Sequence, residues 1–246
     1  MTTEIPDIAS ERTIAVPEAP FENTRSVLSP HDALAKIRAG ETLRDVTVTR
    51  LVLKGEFAAP VKLERVTLVR PTFDGATFAH TVQMSGCKLV NLRCGHRTVF
   101  EQDFLLHGAT LSGVQLVDVT VRGEFRCDNI RAAKTLDLSR CRFEKVVRFW
   151  DASFEGWVNV KKCEFLGTAD FRSFHADQGM TITGCRFAAD VLFRGAAVSK
   201  KLDFGDSAFE ALLDLSKAKL PILRTCRRSC RDRRRDSRSA TWWLSA

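Results

Sequence analysis

The sequence predicts an all-β chain, a right-handed parallel β-helix whose coil closes at about every 22nd residue, with a short N-terminal capping helix. Apolar residues recur every 11 positions, the pattern doubles to 22 at its cysteines and phenylalanines, and a polar residue separates paired apolar ones. Stepping by 11 from Phe143 meets Phe154, Phe165, Ala176, Phe187, Val198 and Phe209. The fourth residue after each start runs Val147, Val158, Ala169, Met180, Val191, Leu202, and the sixth runs Phe149, Val160, Phe171, Ile182, Phe193, Phe204. The ninth runs Ala152, Cys163, Phe174, Cys185, Ala196, Ser207. Carried back to Thr110, the pattern fills forty slots, of which only Thr110 and Ser207 are not apolar.

Slots four and six flank a polar residue, as in Val158-Asn159-Val160, and slots nine and zero do the same, as in Cys163-Glu164-Phe165. Alternation of this kind is extended backbone with side chains pointing alternately in and out. Each unit therefore holds two very short strands, and Gly, Asp, Asn, Lys and Ser between them suit turns. No single stripe of a 3.6-residue helix collects these slots. Cys141, Cys163 and Cys185 stand 22 apart, as do Phe143, Phe165, Phe187 and Phe209, so one coil is two units and like residues stack. Right-handed winding is the rule for parallel connections. Upstream the pattern persists with slips through Phe57, Val61, Leu63, Phe78, Val82 and Met84, while residues 90–99 fit badly and read as a bulged loop.

The solenoid spans residues 41–220. Residues 1–28 carry prolines and acids without periodicity and are expected to be disordered. Residues 29–40 read as the capping helix, with Ser29 as N-cap, Pro30 in the first turn and Gly40 as the stop. Such a cap hides unpaired strand edges. Pro221 ends the pattern and begins the Arg-rich segment 221–246. No cap is evident at this end, which is also compatible with an end-to-end dimer.

The units resemble those of pentapeptide-repeat proteins, in which a small residue stands two before a central Phe or Leu. The matching pairs are Ala76/Phe78, Ala152/Phe154, Cys163/Phe165, Ala169/Phe171, Cys185/Phe187, Ala196/Val198 and Ala218/Leu220. The resemblance covers about 43–220 and implies a right-handed, four-sided β-helix. The central residues here alternate six and five apart, where the family keeps to five. Some of its members mimic DNA toward a type II topoisomerase, which requires a strongly negative rod. Here the net charge of +8 divides into −3 on residues 1–30, +5 on 31–220 and +6 on 221–246, so the charge speaks against mimicry.

No catalytic, cofactor or metal motif emerges, and the chain is expected not to be an enzyme. Cys87, Cys94, His96 and His107 are too widely spaced for a zinc site. Asp137, Asp170, Asp203 and Asp214 share an outward slot, but successive members of the first three are one and a half coils apart, which puts them on opposite faces. No apolar run is long enough to span a membrane and no leader is evident, so a cytoplasmic protein is expected. The cysteines read as buried small hydrophobes. The expected function is that of an interaction or scaffold module with an unknown protein partner. An alternative is binding of nucleic acid or an anionic surface by Arg224, Arg227, Arg228, Arg231, Arg233, Arg234, Arg235 and Arg238. The same segment also reads as a plain disordered tail, or as sequence of non-native origin such as a shifted reading frame.

Overall fold

The computed structural model describes residues 26–221. They form a β-solenoid in which every strand pairing is parallel and joins one coil to the next. Each coil has four short faces, shown here by the coil that starts at Cys141. Face 1 is Cys141-Arg142-Phe143, face 2 Val147-Arg148-Phe149, face 3 Ala152-Ser153-Phe154 and face 4 Val158-Asn159-Val160; in each the first and third side chains are buried. Face 2 stacks nine strands and face 1 eight, while faces 3 and 4 belong to one sheet that bends around a corner.

Neighbouring coils do not all have the same length. Along face 3 the register runs Val48↔Leu68, Leu68↔Leu89, Leu89↔Leu111 and Leu111↔Ala132, spacings of 20, 21, 22 and 21. From Ala132↔Phe154 onward the spacing is 22. Extrapolating 22 backward therefore misplaces one residue. Thr110 points outward and Leu111 takes the buried slot. Residues 90–99 also differ from the expected bulged loop. Lys88–Cys94 is one strand crossing from face 3 to face 4, with Leu92 and Cys94 buried, and only the turn after it is irregular.

One corner residue in each unit has a fixed conformation. Asp118, Asn129, Arg140, Asp151, Lys162, Ser173, Gly184 and Gly195 follow one another at steps of 11, Lys217 comes 22 later, and all have positive φ. They sit at every second corner, the tighter one, where a single left-handed residue lets the centres of neighbouring triplets follow five residues apart, against six at the corners between. The corner strains any side chain, and at Asp118 and Arg140 an ion pair offsets this from outside. Arg140 donates to both carboxylate oxygens of Asp118 on the preceding coil at 2.6 and 2.9 Å. At the other type of corner two glycines sit where the backbone of the preceding coil comes close. A Cβ on Gly156 or Gly167 would lie 2.5 Å from the backbone of the coil before it.

Inside, like residues stack. Phe143, Phe165, Phe187 and Phe209 form one column with ring centroids 5.0, 4.6 and 4.9 Å apart. Phe149, Phe171 and Phe193 form another at 5.3 and 4.8 Å. The six cysteines among the described residues are buried as expected, and several also bond. The amide of Cys141 donates to Sγ of Cys163, and that of Cys163 to Sγ of Cys185, both at 3.4 Å. The amide of Cys185 donates to the Ser207 hydroxyl at 3.1 Å, which in turn donates to the Ile182 carbonyl at 3.0 Å. This explains the polar residue that follows the three cysteines: a hydroxyl does there what the thiols do. Thr98 fills the equivalent slot in an earlier coil and donates to the Gly95 carbonyl at 2.7 Å.

The first coil is covered by helix α1, Pro30–Arg38. The Ser29 hydroxyl accepts from the Asp32 amide at 3.1 Å, Ala33 and Ile37 are buried, and Gly40 has φ +76°. Before it, Ser26–Val27 form β1, which pairs with Val46-Thr47, so the solenoid gains a strand within the stretch expected to lack structure. Residues 1–25 of that stretch lie outside the described residues. At the other end Leu213, Leu215 and Leu220 are only partly buried and Leu212 is exposed, with nothing over them among the described residues.

Candidate functional site

Face 3 differs from the other faces in its chemistry. Its outward column is fixed pair by pair by the register: Val27, Thr47, Thr67, Lys88, Thr110, Arg131, Ser153, His175, Ala197 and Lys219. Ten coils contribute to this column without one carboxylate. From Lys88 onward a basic or imidazole side chain comes every second coil, about 9.6 Å apart at the usual strand spacing of roughly 4.8 Å, with small residues between. The corner that follows face 3 adds Arg50, Arg70, Lys134, Lys200 and Lys201. Face and corner together hold eight Lys or Arg against Glu155 and Asp177, a net +6.

The diagonally opposite corner, between faces 1 and 2, is acidic. Glu101, Asp103, Glu124, Glu144, Asp190 and Glu210 stand there against Arg122 and Lys145, a net −4. The two edges also differ in how far their charges are engaged. Every one of those acids accepts from the protein itself: Glu101 from Arg122, Glu124 from Arg126, Glu144 from Arg142 and Glu210 from Arg186. Asp103 accepts from the Glu124 amide and Asp190 from the Leu212 amide. By contrast Arg50, Arg70, Lys88, Arg131, Lys134 and Lys219 form no ion pair with described residues.

Two tryptophans frame the basic column on one coil. Trp150 stands in the corner before face 3 and Trp157 in the corner after it, 47% and 37% exposed. They are the only exposed aromatic side chains among the described residues. A Cβ on Gly179 in the next coil would come within 3.0 Å of the Trp157 ring. Glycine there lets the indole lie against the backbone, packed behind and open in front.

Face 2 carries the most deeply buried charges. Arg148 stands between Asp128 at 3.7 Å and Asp170 at 3.9 Å, and Arg172 donates to Asp170 at 2.7 Å. Burial raises the Asp128 pKa against the pull of Arg148 and Arg126. One oxygen of Asp128 and Nε of Arg148 are buried with no hydrogen-bond partner among the described residues. On face 4, two shallow depressions of about 310 Å³ each share Arg93 and Gln115. Asp74 and His96 line one of them, 3.8 Å apart.

The other constellations weighed in the sequence do not converge. Cys87 points inward on face 3 and Cys94 inward on face 4, while His96 and His107 lie at different corners. Among the described residues no group of three His, Cys, Asp or Glu is placed to hold a metal ion. Burial raises the pKa of Cys94 and Cys127, which disfavours a thiolate. Asp137 and Asp203 lie on face 4, Asp170 and Asp214 on face 2, as the spacing required. No helix of the described residues is long and apolar enough to cross a membrane.

Arg224, Arg227, Arg228, Arg231, Arg233, Arg234, Arg235 and Arg238 all lie outside the described residues. The chain reaches them from face 3, because Lys219 belongs to its outward column. Lys88 and Arg131 were not singled out in the sequence. The signal for the downstream half was present: position ten of alternate units reads Arg131, Ser153, His175, Ala197, Lys219, with no acid. Compared with models of protein families, with curated proteins and with solved structures, the chain finds no match.

Proposed function

We propose that this protein is a non-enzymatic interaction module, a rod that docks on an anionic partner along face 3. One observation carries this reading: eight cations against two acids on face 3 and its following corner, diagonally across from an acidic edge whose charges are already engaged. Cations without internal partners are held ready at regular intervals on a stiff sheet, and repeat rods present extended surfaces of this kind. The Arg-rich segment 221–246 begins two residues after Lys219, and in this reading it acts on the same partner as face 3. The resemblance to pentapeptide-repeat proteins then concerns the coil alone, because a mimic of DNA needs the opposite charge.

The test uses the full chain and inorganic polyphosphate as the probe. Reversing Lys88, Arg131 and Lys134 to Glu should weaken binding at least tenfold and flatten its salt dependence. The slope of log affinity against log salt should fall by about 2, taking roughly 0.7 per phosphate no longer paired, as for single-stranded phosphate chains. All three side chains are exposed, so the fold is expected to survive, which circular dichroism checks. Unchanged affinity in the triple variant would remove face 3 from the reading.

A further inference from the structure

We infer that the anionic partner is a single-stranded nucleic acid, whose phosphates follow the cations of face 3 while its bases stack on Trp150 and Trp157. The inference rests on the anion-binding reading above and adds the chemistry of the partner to it.

Two independent features meet on one stretch of surface. The first is the acid-free column, where Lys88, Arg131, His175 and Lys219 alternate with Thr110, Ser153 and Ala197. Ammonium and guanidinium groups pair with phosphate, and the hydroxyls between them donate hydrogen bonds to phosphate oxygens. The second is the placement of the exposed rings. The described residues contain two tryptophans, both exposed, and they occupy the two edges of this column on a single coil. A charged track flanked by aromatic platforms is the arrangement that holds single strands without reading their sequence. Trp157 is suited to it, since the glycine at 179 seats one face of the indole and leaves the other to solvent.

Other polyanions use only part of this. In a duplex the bases are stacked on each other, out of reach of rings that stand beside a phosphate track. An anionic bilayer calls for an apolar rim along the rod, whereas the two rings stand on one turn only. An acidic protein segment offers carboxylates but no stacked planes.

The experiment measures binding of the full-length protein to fluorescently labelled probes by anisotropy, at two salt concentrations. The probes are a fifteen-nucleotide oligo-dT, the same oligomer with abasic sites in place of its bases, the corresponding duplex, and vesicles of phosphatidylserine and phosphatidylcholine. The oligo-dT is expected to bind at least tenfold more tightly than the abasic oligomer or the duplex. Trp150→Ala and Trp157→Ala should each weaken oligo-dT binding by about five- to a hundredfold, the range for one lost base–aromatic stack. Neither should change the affinity for the abasic oligomer, which also shows that the variants are folded. Trp157→Phe should restore most of the loss. Equal affinity for oligo-dT and the abasic oligomer would overturn the nucleic-acid inference and leave anion binding standing. So would vesicle binding without oligomer binding. Binding to none of the probes would overturn both.

Discussion

Replacing Cys163 separates two views of the cysteine column. If the thiols merely fill space, alanine should be tolerated better than serine, which puts a hydroxyl into an apolar core. The bonding between coils argues the reverse. Sγ of Cys163 is the acceptor for the Cys141 amide, and no other acceptor among the described residues serves that amide. Cys163→Ala leaves a buried N–H without a partner, a loss of about 1–3 kcal/mol. Removing the buried sulfur adds about 1 kcal/mol, taking it as comparable to a methylene. The total is about 2–4 kcal/mol. Cys163→Ser keeps an acceptor in place, and Ser207 already shows that a hydroxyl at this slot reaches both the amide of one coil and a carbonyl of another. Its cost reduces to the missing apolar packing of the sulfur, about 1 kcal/mol. Urea unfolding of the full chain under reducing conditions, followed by circular dichroism, gives both values. A serine variant as unstable as the alanine variant, or less stable, would refute the assignment of a bonding role to the thiols.

Three further outcomes follow from the same structure. Phe165→Ala removes a buried ring stacked on Phe143 and Phe187 and should cost about 3–5 kcal/mol, read as a lower urea midpoint; a loss below about 1 kcal/mol would show that the column is not a stabilising stack. Lys162→Gly relieves a left-handed backbone at φ +52° and should raise stability by up to about 1 kcal/mol, since the roughly 1–2 kcal/mol of relief is partly offset by the flexibility of glycine when unfolded. A fall in melting temperature would show that the Lys162 side chain makes an interaction worth more than the strain. Hydrogen bonds from Arg44, Arg140 and Arg186 hold the pKa values of Glu64, Asp118 and Glu210 below the ordinary carboxylate range. Lowered values in the folded chain mean that this stability is complete above the ordinary range and lost as pH falls through the lowered values. Thermal melts between pH 6 and 3 should show the loss, and Arg140→Gln should make it shallower; an unaltered profile would remove that pair from the account.

The inward half of this molecule was legible in the sequence because it repeats. A buried slot accepts only apolar side chains, or a small polar one with partners such as Ser207, so Phe143, Phe165 and Phe187 announce their stacking by spacing alone. The outward half was not legible. Which outward residues are neighbours depends on the length of every coil between them, and Lys88 is separated from Arg131 by one step of 22 and one of 21. A single assumed period misaligns them, as it misplaced Thr110. Net charge hid the surface pattern for a related reason. The sum of +5 over residues 31–220 averages an acidic edge with a basic one. The strand at Lys88–Cys94 was missed because only Val90 and the left-handed Asn91 join its two buried pairs, Cys87/Leu89 and Leu92/Cys94, one residue fewer than the 11-residue frame assumes.

The corners between faces have a consequence for how such a chain can change. In an ordinary sheet one added residue turns every later side chain over, from interior to exterior. Here a single amino acid can be gained or lost at a bend while the triplets on both sides keep their sense. Turns of three different lengths already lie on one another in this rod. Small insertions and deletions during descent can therefore leave the hydrophobic centre untouched while sliding one exterior column past the next, a route to new binding faces that costs the fold little.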